Sequence, residues 1–239
     1  MSRAANRPCW GWLAVAAAIV CLIRPAQSGA AVPPATLQSE ISRVAPGKHR
    51  VALTFDGDAF VGRVSDILAT LKTAHAHATF FLTGYYMENN PSRTRAIVAA
   101  GQEVASHGYR HLDYRGLSDG AIVRALSAWD ADYYHLIGKH GPAIWRAPYG
   151  YTDNRVRVVA AQTGYSTVYW TLDALDTVGS PKSAAFIFNR LTRSGITLDG
   201  SILLLHVNPD GTVDALPRVL ANLQARGLDV VSVSGLLAR

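Results

Sequence analysis

The sequence predicts a single parallel α/β domain, and three observations carry that expectation. Short apolar runs alternate with segments of helical spacing from Arg50 to Val233. The polar motifs repeatedly fall just after the apolar runs. The 239 residues contain no internal repeat, low-complexity tract or second core pattern. Strand–helix alternation favours a parallel sheet covered by helices. In such folds, open or closed, functional groups gather at the carboxyl ends of the strands.

The elements follow in order. Val51–Phe55 reads as a buried strand. Residues 61–73 have helical spacing, with Ile67, Leu68 and Leu71 on one face. Residues 78–82 form a second strand, and residues 94–100 a short helix ended by Gly101. Residues 103–105 are a strand leading into a pair of histidines. Ser118 and Asp119 cap a long helix to Ile137. Residues 143–145 are a strand, 154–163 a helix stopped by Gly164, and 166–170 a strand ending on Trp170. A helix is expected from Pro181 to Thr192, and another near 215–225 between strands at 202–205 and 230–233.

The N-terminus reads differently. Arg3 and Arg7 precede an apolar stretch from Cys9 to Ile23, and small residues follow at 26–31. That order is a secretory signal, too short for the roughly twenty residues of a membrane helix. The expected organisation is a signal peptide over residues 1–30, a linker over 31–49 and a catalytic domain over 50–239. The mature protein would be secreted or periplasmic, monomeric, and free of a stable membrane span. Both cysteines, Cys9 and Cys21, lie in the signal. Disulfides, thiol nucleophiles and cysteine-ligated metals are thereby excluded from the mature chain. Removal of Arg3, Arg7 and Arg24, with no acid, takes the net charge from +6 to +3. No basic helix or interleaving of basic and aromatic residues is present, so nucleic acid is not an expected partner.

Five segments carry chemistry. His107 and His111, spaced i,i+4, could share one face of a helical turn and grip a divalent ion, with zinc, cobalt or nickel suited to imidazole. Asp56 and Asp58 end the first apolar strand. If the chain stays extended they point to one side, one as metal ligand and the other as base on a water, although Asp-Gly-Asp is also ordinary turn chemistry. Arg146, before Ala147-Pro148-Tyr149-Gly150, has a fork that can hold a carboxylate. Asp173 and Asp176 follow the Trp170 strand, and either could orient Arg146 or His206. His206 closes an aliphatic strand, where it is either a satisfied core residue or a general acid for a leaving amine. His49, His75, His77, His135 and His140 read as surface or packing residues. An acid, two histidines, an arginine, an acid and a histidine at strand ends suit a metal-assisted hydrolase.

These segments in this order resemble the polysaccharide deacetylase (NodB-homology) family, carbohydrate esterase family 4, and Ala78-Thr79-Phe80-Phe81-Leu82-Thr83-Gly84 resembles its second strand. The resemblance spans Val51 to Val233. It implies a distorted (β/α) barrel and metal-dependent removal of acetyl groups from N-acetylated glycans such as peptidoglycan, chitin oligomers or exopolysaccharide. The family's first motif is Thr-Phe-Asp-Asp-Gly, its first Asp the base and its second the metal ligand. Asp56 aligns with the base, Gly57 takes the ligand position, and Asp58 follows one step later. Thr177 stands where the family has Trp. The implied site has one divalent ion, expected to be zinc, on His107, His111 and Asp58, with Asp56 as base. His206 is then the acid, Arg146 fixes Asp56, and Asp176 is the counter-ion of Arg146, with Asp173 second. The Tyr149 N–H would face the oxyanion, and Tyr149, Tyr151 and Trp170 would wall the sugar. The altered first motif leaves two alternatives: an inactive glycan-binding module on the same fold, or an O-acetyl esterase.

Overall fold

Every residue of strand β1 (Arg50–Gly57) from Val51 onward is buried. A strand buried on both faces needs cover on both. In the computed structural model, described for residues 39–59 and 62–238, β1 lies at the centre of a curled sheet. Its first three residues pair with β8 (Asp229–Val231), and its last four with β2 (Thr79–Leu82). On β7 (Ile202–His206) it pairs from Ala52 to Asp56. Beyond β2 come β3 (Glu103–Ser106), β4 (Ile144–Trp145) and β5 (Ser166–Thr167), and beyond β7 comes β6 (Leu172–Asp173). All named pairings are parallel, so all strands end on one side. This is a distorted (β/α) barrel, as expected.

The two faces of β1 have different neighbours. Val51, Leu53 and Phe55 join the large apolar layer under the helices, with Ile67 and Leu71 of α1 (Val64–Thr73) and Leu216, Val219 and Leu220 of α7 (Asp210–Ala225). Ala52 faces inward, with Phe81, Ala105, Ile202 and Val233. The even-numbered residues therefore carry Asp56 to the barrel interior.

The other helices are α2 (Gly84–Asn89), α3 (Pro91–Ala99), α4 (Asp119–Ile137), α5 (Asn154–Gln162), α6 (Ala184–Thr192) and α8 (Val233–Leu237). Side-chain oxygens of Thr83, Ser118, Asp153, Ser183 and Ser232 cap α2, α4, α5, α6 and α8. The helix expected from Pro181 therefore starts three residues later, where Ser183 takes the Phe186 N–H. Helix α7 begins earlier than its apolar spacing suggested, at Asp210. Helices α2 and α8 and strand β6 were not read from the sequence. The strand expected over 166–170 stops at Thr167, and Trp170 lies outside it.

The signal peptide and the first part of the expected linker, residues 1–38, lie outside the described residues. From Ser39 the linker reading does not hold. Ile41 is buried, bridges to Val168 and donates its N–H to Thr167, while Arg43 bridges to Ser201. This segment joins the end of β5 to the start of β7, an attachment set by long-range pairing that local composition does not report.

Candidate active site

Asp56, one residue before the end of β1, is the register partner of His206 on β7 and of Phe81 on β2. Its buried Oδ1 lies 2.6 Å from Arg146 Nη1, and its Oδ2 lies 3.7 Å from His107 Nε2. Burial alone would raise the Asp56 pKa, but Arg146, then His107 and His206, outweigh it and hold the carboxyl below its ordinary value. Asp56 is thus an anion inside the barrel mouth.

Arg146 is completely buried just after β4. Nη1 also donates to Thr54 Oγ1 at 2.9 Å, and Nη2 donates to the Tyr169 carbonyl at 3.1 Å. The guanidinium lies over the Phe81 ring at 4.1 Å. Burial lowers its pKa against the pull of Asp56, yet a guanidinium stays charged at any ordinary pH. The expected counter-ion is corrected here. Asp176 bonds His206, while Arg146 is neutralised by Asp56 itself, with Asp173 as a further charge.

His107 follows β3. Its Nδ1 donates to the Arg146 carbonyl at 2.9 Å, an acceptor-only partner that fixes the tautomer and leaves the Nε2 lone pair free. Burial, outweighing Asp56, brings its pKa down to about 4, so the ring is neutral. The His111 ring centre lies 5.2 Å from that of His107, and burial lowers its pKa against Asp58 and Asp56. The two histidines do not sit on a helical turn. Gly108, at φ +74°, turns the chain into an irregular loop, and the loop brings the rings together.

Asp58 is half-buried past the strand end, its carboxylate accepting the Ala59 N–H and acting electrostatically on His111. Gly57 faces the other way. A Cβ built there would lie 2.8 Å from Leu82 Cδ2 and 3.2 Å from Val207 Cγ2, both in the helix-side core. Alternation along β1 thus turns position 57 away from the barrel interior that Asp56 faces. Among the described residues no three His, Asp, Glu or Cys side chains form a ready-made metal cage. The donor chemistry still fits a divalent ion: a neutral imidazole with its lone pair exposed and its other nitrogen tied to a carbonyl is the usual form of a metal-binding histidine.

His206 lies across from these groups. Its N–H donates to Asp176 Oδ2 and its Nδ1 to Asp176 Oδ1, both at 2.8 Å. Burial works to lower its pKa, but the hydrogen bond and charge of Asp176, with Asp56 and Asp173 behind them, leave it raised. Its Nε2 is the nitrogen left for a substrate.

Tyr149, at φ 60°, sits in a tight turn whose hydrogen bonds run from Gly150 and Tyr151 to Ala147 and Pro148, which leaves the Tyr149 N–H outside them. Its exposed ring meets His111 edge-on at 4.3 Å. The Tyr151 ring is exposed but carries Arg115 over one face at 4.2 Å. Trp170 is half-buried, stacked on Tyr169 and closed against Gly150, where a Cβ would lie 2.5 Å from its ring. Thr54 and Thr212 were missed as site residues. Thr54 stood inside the first motif, and nothing local marked Thr212.

The polysaccharide deacetylase family profile matches residues 43–168, more than half of the chain. The chain belongs to the polysaccharide deacetylase family. Members of this family named among its relatives are hydrolases acting on amide bonds. A peptidoglycan-N-acetylglucosamine deacetylase of Bacillus cereus is 28% identical over 78% of this chain and 87% of its own length. A family 4 carbohydrate esterase from Streptomyces lividans, solved with acetate, superimposes with a TM-score of 0.69 at 32% identity, covering 78% of this chain and 93% of that one. A family 4 pseudoenzyme from Bacillus anthracis superimposes with a TM-score of 0.77 at 27% identity, covering 84% and 69%. A mutant of that pseudoenzyme with restored enzymatic activity gives 0.78 at 29%, covering 84% and 72%. This deacetylase-family chain thus has both active and inactive structural neighbours. Among its described residues no helix is long and apolar enough to cross a membrane.

Proposed function

We propose that the chain is a secreted, metal-dependent deacetylase that hydrolyses N-acetyl groups of a glycan such as peptidoglycan, chitin oligomers or exopolysaccharide. The observation that carries this reading is one arrangement. An ionised Asp56 clamped by Arg146 faces the free Nε2 of a neutral His107, and a His206–Asp176 pair stands beside it. Acid and base are separated by environment, as a two-step proton transfer requires.

Asp56 removes a proton from the attacking water as its oxygen bonds to the acetamide carbon. Arg146 keeps that carboxylate ionised and aimed inward. The Tyr149 N–H faces the oxygen on which negative charge develops. His206 delivers a proton to the amide nitrogen as the carbon–nitrogen bond breaks, yielding acetate and a free amine. His107, His111 and Asp58 would hold the divalent ion, with zinc expected, which when bound supplies a Lewis acid that polarises the carbonyl and acidifies the water. Tyr149 and Tyr151 offer exposed rings for sugar contact, and Trp170 supports the turn that carries them.

A second reading is favoured by Gly57 at the family's ligand position and by the pseudoenzyme neighbour. On it, the chain binds glycan without hydrolysis. Acetate release from N-acetylated and O-acetylated glycans, with and without added zinc or cobalt, separates the readings. The deacetylase releases acetate from N-acetyl substrates, loses this with chelator and recovers it with metal. Glycan binding with no acetate under any metal establishes the second reading, and release from O-acetyl substrates alone makes the chain an esterase.

A further inference from the structure

The Asp176 carboxylate has a third donor besides the two supplied by His206. Thr212, fully buried in the first turn of α7, places its Oγ1 2.5 Å from Asp176 Oδ2. We propose that Thr212 is a positioning residue for His206, acting through Asp176. This rests on His206 as the acid of the proposed reaction.

The need for such an anchor lies in where Asp176 sits. It is not on a strand. It follows β6 in a turn held by Asp173 Oδ1, which accepts the Leu175 N–H at 2.7 Å. Leu175 itself has φ +55°, a conformation that side chains other than glycine adopt at a cost. Thr177, on the other side, is exposed. A carboxylate on an irregular turn has no regular ladder to fix its plane. His206 needs that plane fixed, because it meets both oxygens, one through its main chain and one through its ring.

The Thr212 side of the bond is closely packed. Helix α7 runs for sixteen residues. Its first turn presses on the chain before α6 so closely that a Cβ at Gly211 would lie 2.1 Å from the Lys182 carbonyl oxygen. The Thr212 N–H donates to Pro209, which fixes the residue in the turn. The hydroxyl therefore ties a carboxylate on a turn to a long, closely packed helix, and Oδ2 takes two donors while Oδ1 is left to the imidazole. Held by three donors on its two oxygens, the carboxylate cannot rotate away from the ring.

The test compares Thr212→Val, which keeps the shape and removes the hydroxyl, with Thr212→Ser, which keeps the hydroxyl. Two readouts are taken: steady-state kinetics of acetate release, and the far-downfield imidazole Nδ1–H proton resonance of His206 in substrate-free protein. Thr212→Val is expected to lower kcat on the order of tenfold with KM unchanged, and to shift or broaden the His206 resonance. Thr212→Ser is expected to restore both. A valine variant that keeps wild-type kcat and an unmoved resonance overturns the proposal. So does a serine variant as impaired as the valine one. If wild-type protein releases no acetate, the reaction reading fails, but the resonance still decides whether Thr212 positions His206. If Thr212→Val does not fold, wild-type protein decides. A slowly exchanging Thr212 hydroxyl proton with a cross-peak to the His206 backbone N–H supports the proposal, and its absence overturns it.

Discussion

Asp56 faces the barrel interior and Gly57 faces Leu82, Val207 and Tyr86, while Asp58, past the strand end, acts electrostatically on His111. This makes two residue-scale outcomes predictable. Asp58→Ala should lose metal affinity in calorimetric titration, whereas Asp56→Ala should keep the metal and lose rate by ~100-fold or more, as for a missing general base. The reverse pattern would exchange the two roles. Gly57→Asp, which restores the family's letter, should not restore its ligand. A carboxylate there must enter the apolar layer, and overpacking plus an unpaired charge should cost at least about 2 kcal/mol in thermal or urea unfolding, with no gain in metal affinity. Tighter metal binding at unchanged stability would show that the turn re-forms around the new acid. The residue scale was also where the sequence was most legible. Asp56, His107, Arg146 and His206 each stand at or just after the end of an apolar run, and His111 is read from its spacing to His107, so their types and their places could be read together. The partner of Asp176 could not. Asp173 and Asp176 lie in one loop, and which of them meets His206 depends on the positive φ of Leu175 between them.

The pairing of β6 with β7 brings the Asp176 turn beside His206, and the consequence is a shift in proton affinity. The shift has a definite sign. A general acid works while protonated, so activity persists as pH rises toward the His206 pKa and falls above it. Asp176 raises that pKa, which places the alkaline limb of the kcat/KM profile above 6.5. In Asp176→Asn the negative charge is gone and burial dominates, so the limb should move to lower pH. A limb that stays in place would mean that another group sets it. Elements of strong period were legible: β1, α1, α4 and β7 all announced themselves by apolar spacing. Short elements were not. Helix α2 opens with Gly84 and closes on Asn89, poor helix residues, and forms because Thr83 caps it and Tyr86 and Met87 pack into the core. Strand β6 has two residues and exists only through its ladder to Leu203 and Leu204. No window of sequence holds such information, because the stabilising partner lies elsewhere in the chain.

Residues 40–44 matter to the whole domain. Ile41 fills a place between β5 and β7 in the inner apolar cluster, and Glu40 accepts from Thr152 near the exposed Tyr151 ring. A chain beginning at Lys48 should therefore be less stable by roughly 2 kcal/mol or more, from the burial of Ile41 alone. In a scan, Tm should fall by about 5 °C or more. An unchanged Tm would return the segment to linker status. This contact was illegible in sequence because Pro, Ala and Ser around it set the local composition, while its partners Val168 and Ser201 are far along the chain. The parallel sheet has one more consequence, which concerns time. Asp56 and His206 are register partners, yet one belongs to the first strand made and the other to the next-to-last. On a ribosome adding ~5–20 residues per second, Asp56 waits on the order of ten seconds before His206 exists. Until then Asp56 lacks its neighbour on β7. A chain ending before β7 therefore lacks the register partner of Asp56, and the pairing that the proposed reaction uses forms only when synthesis is all but finished.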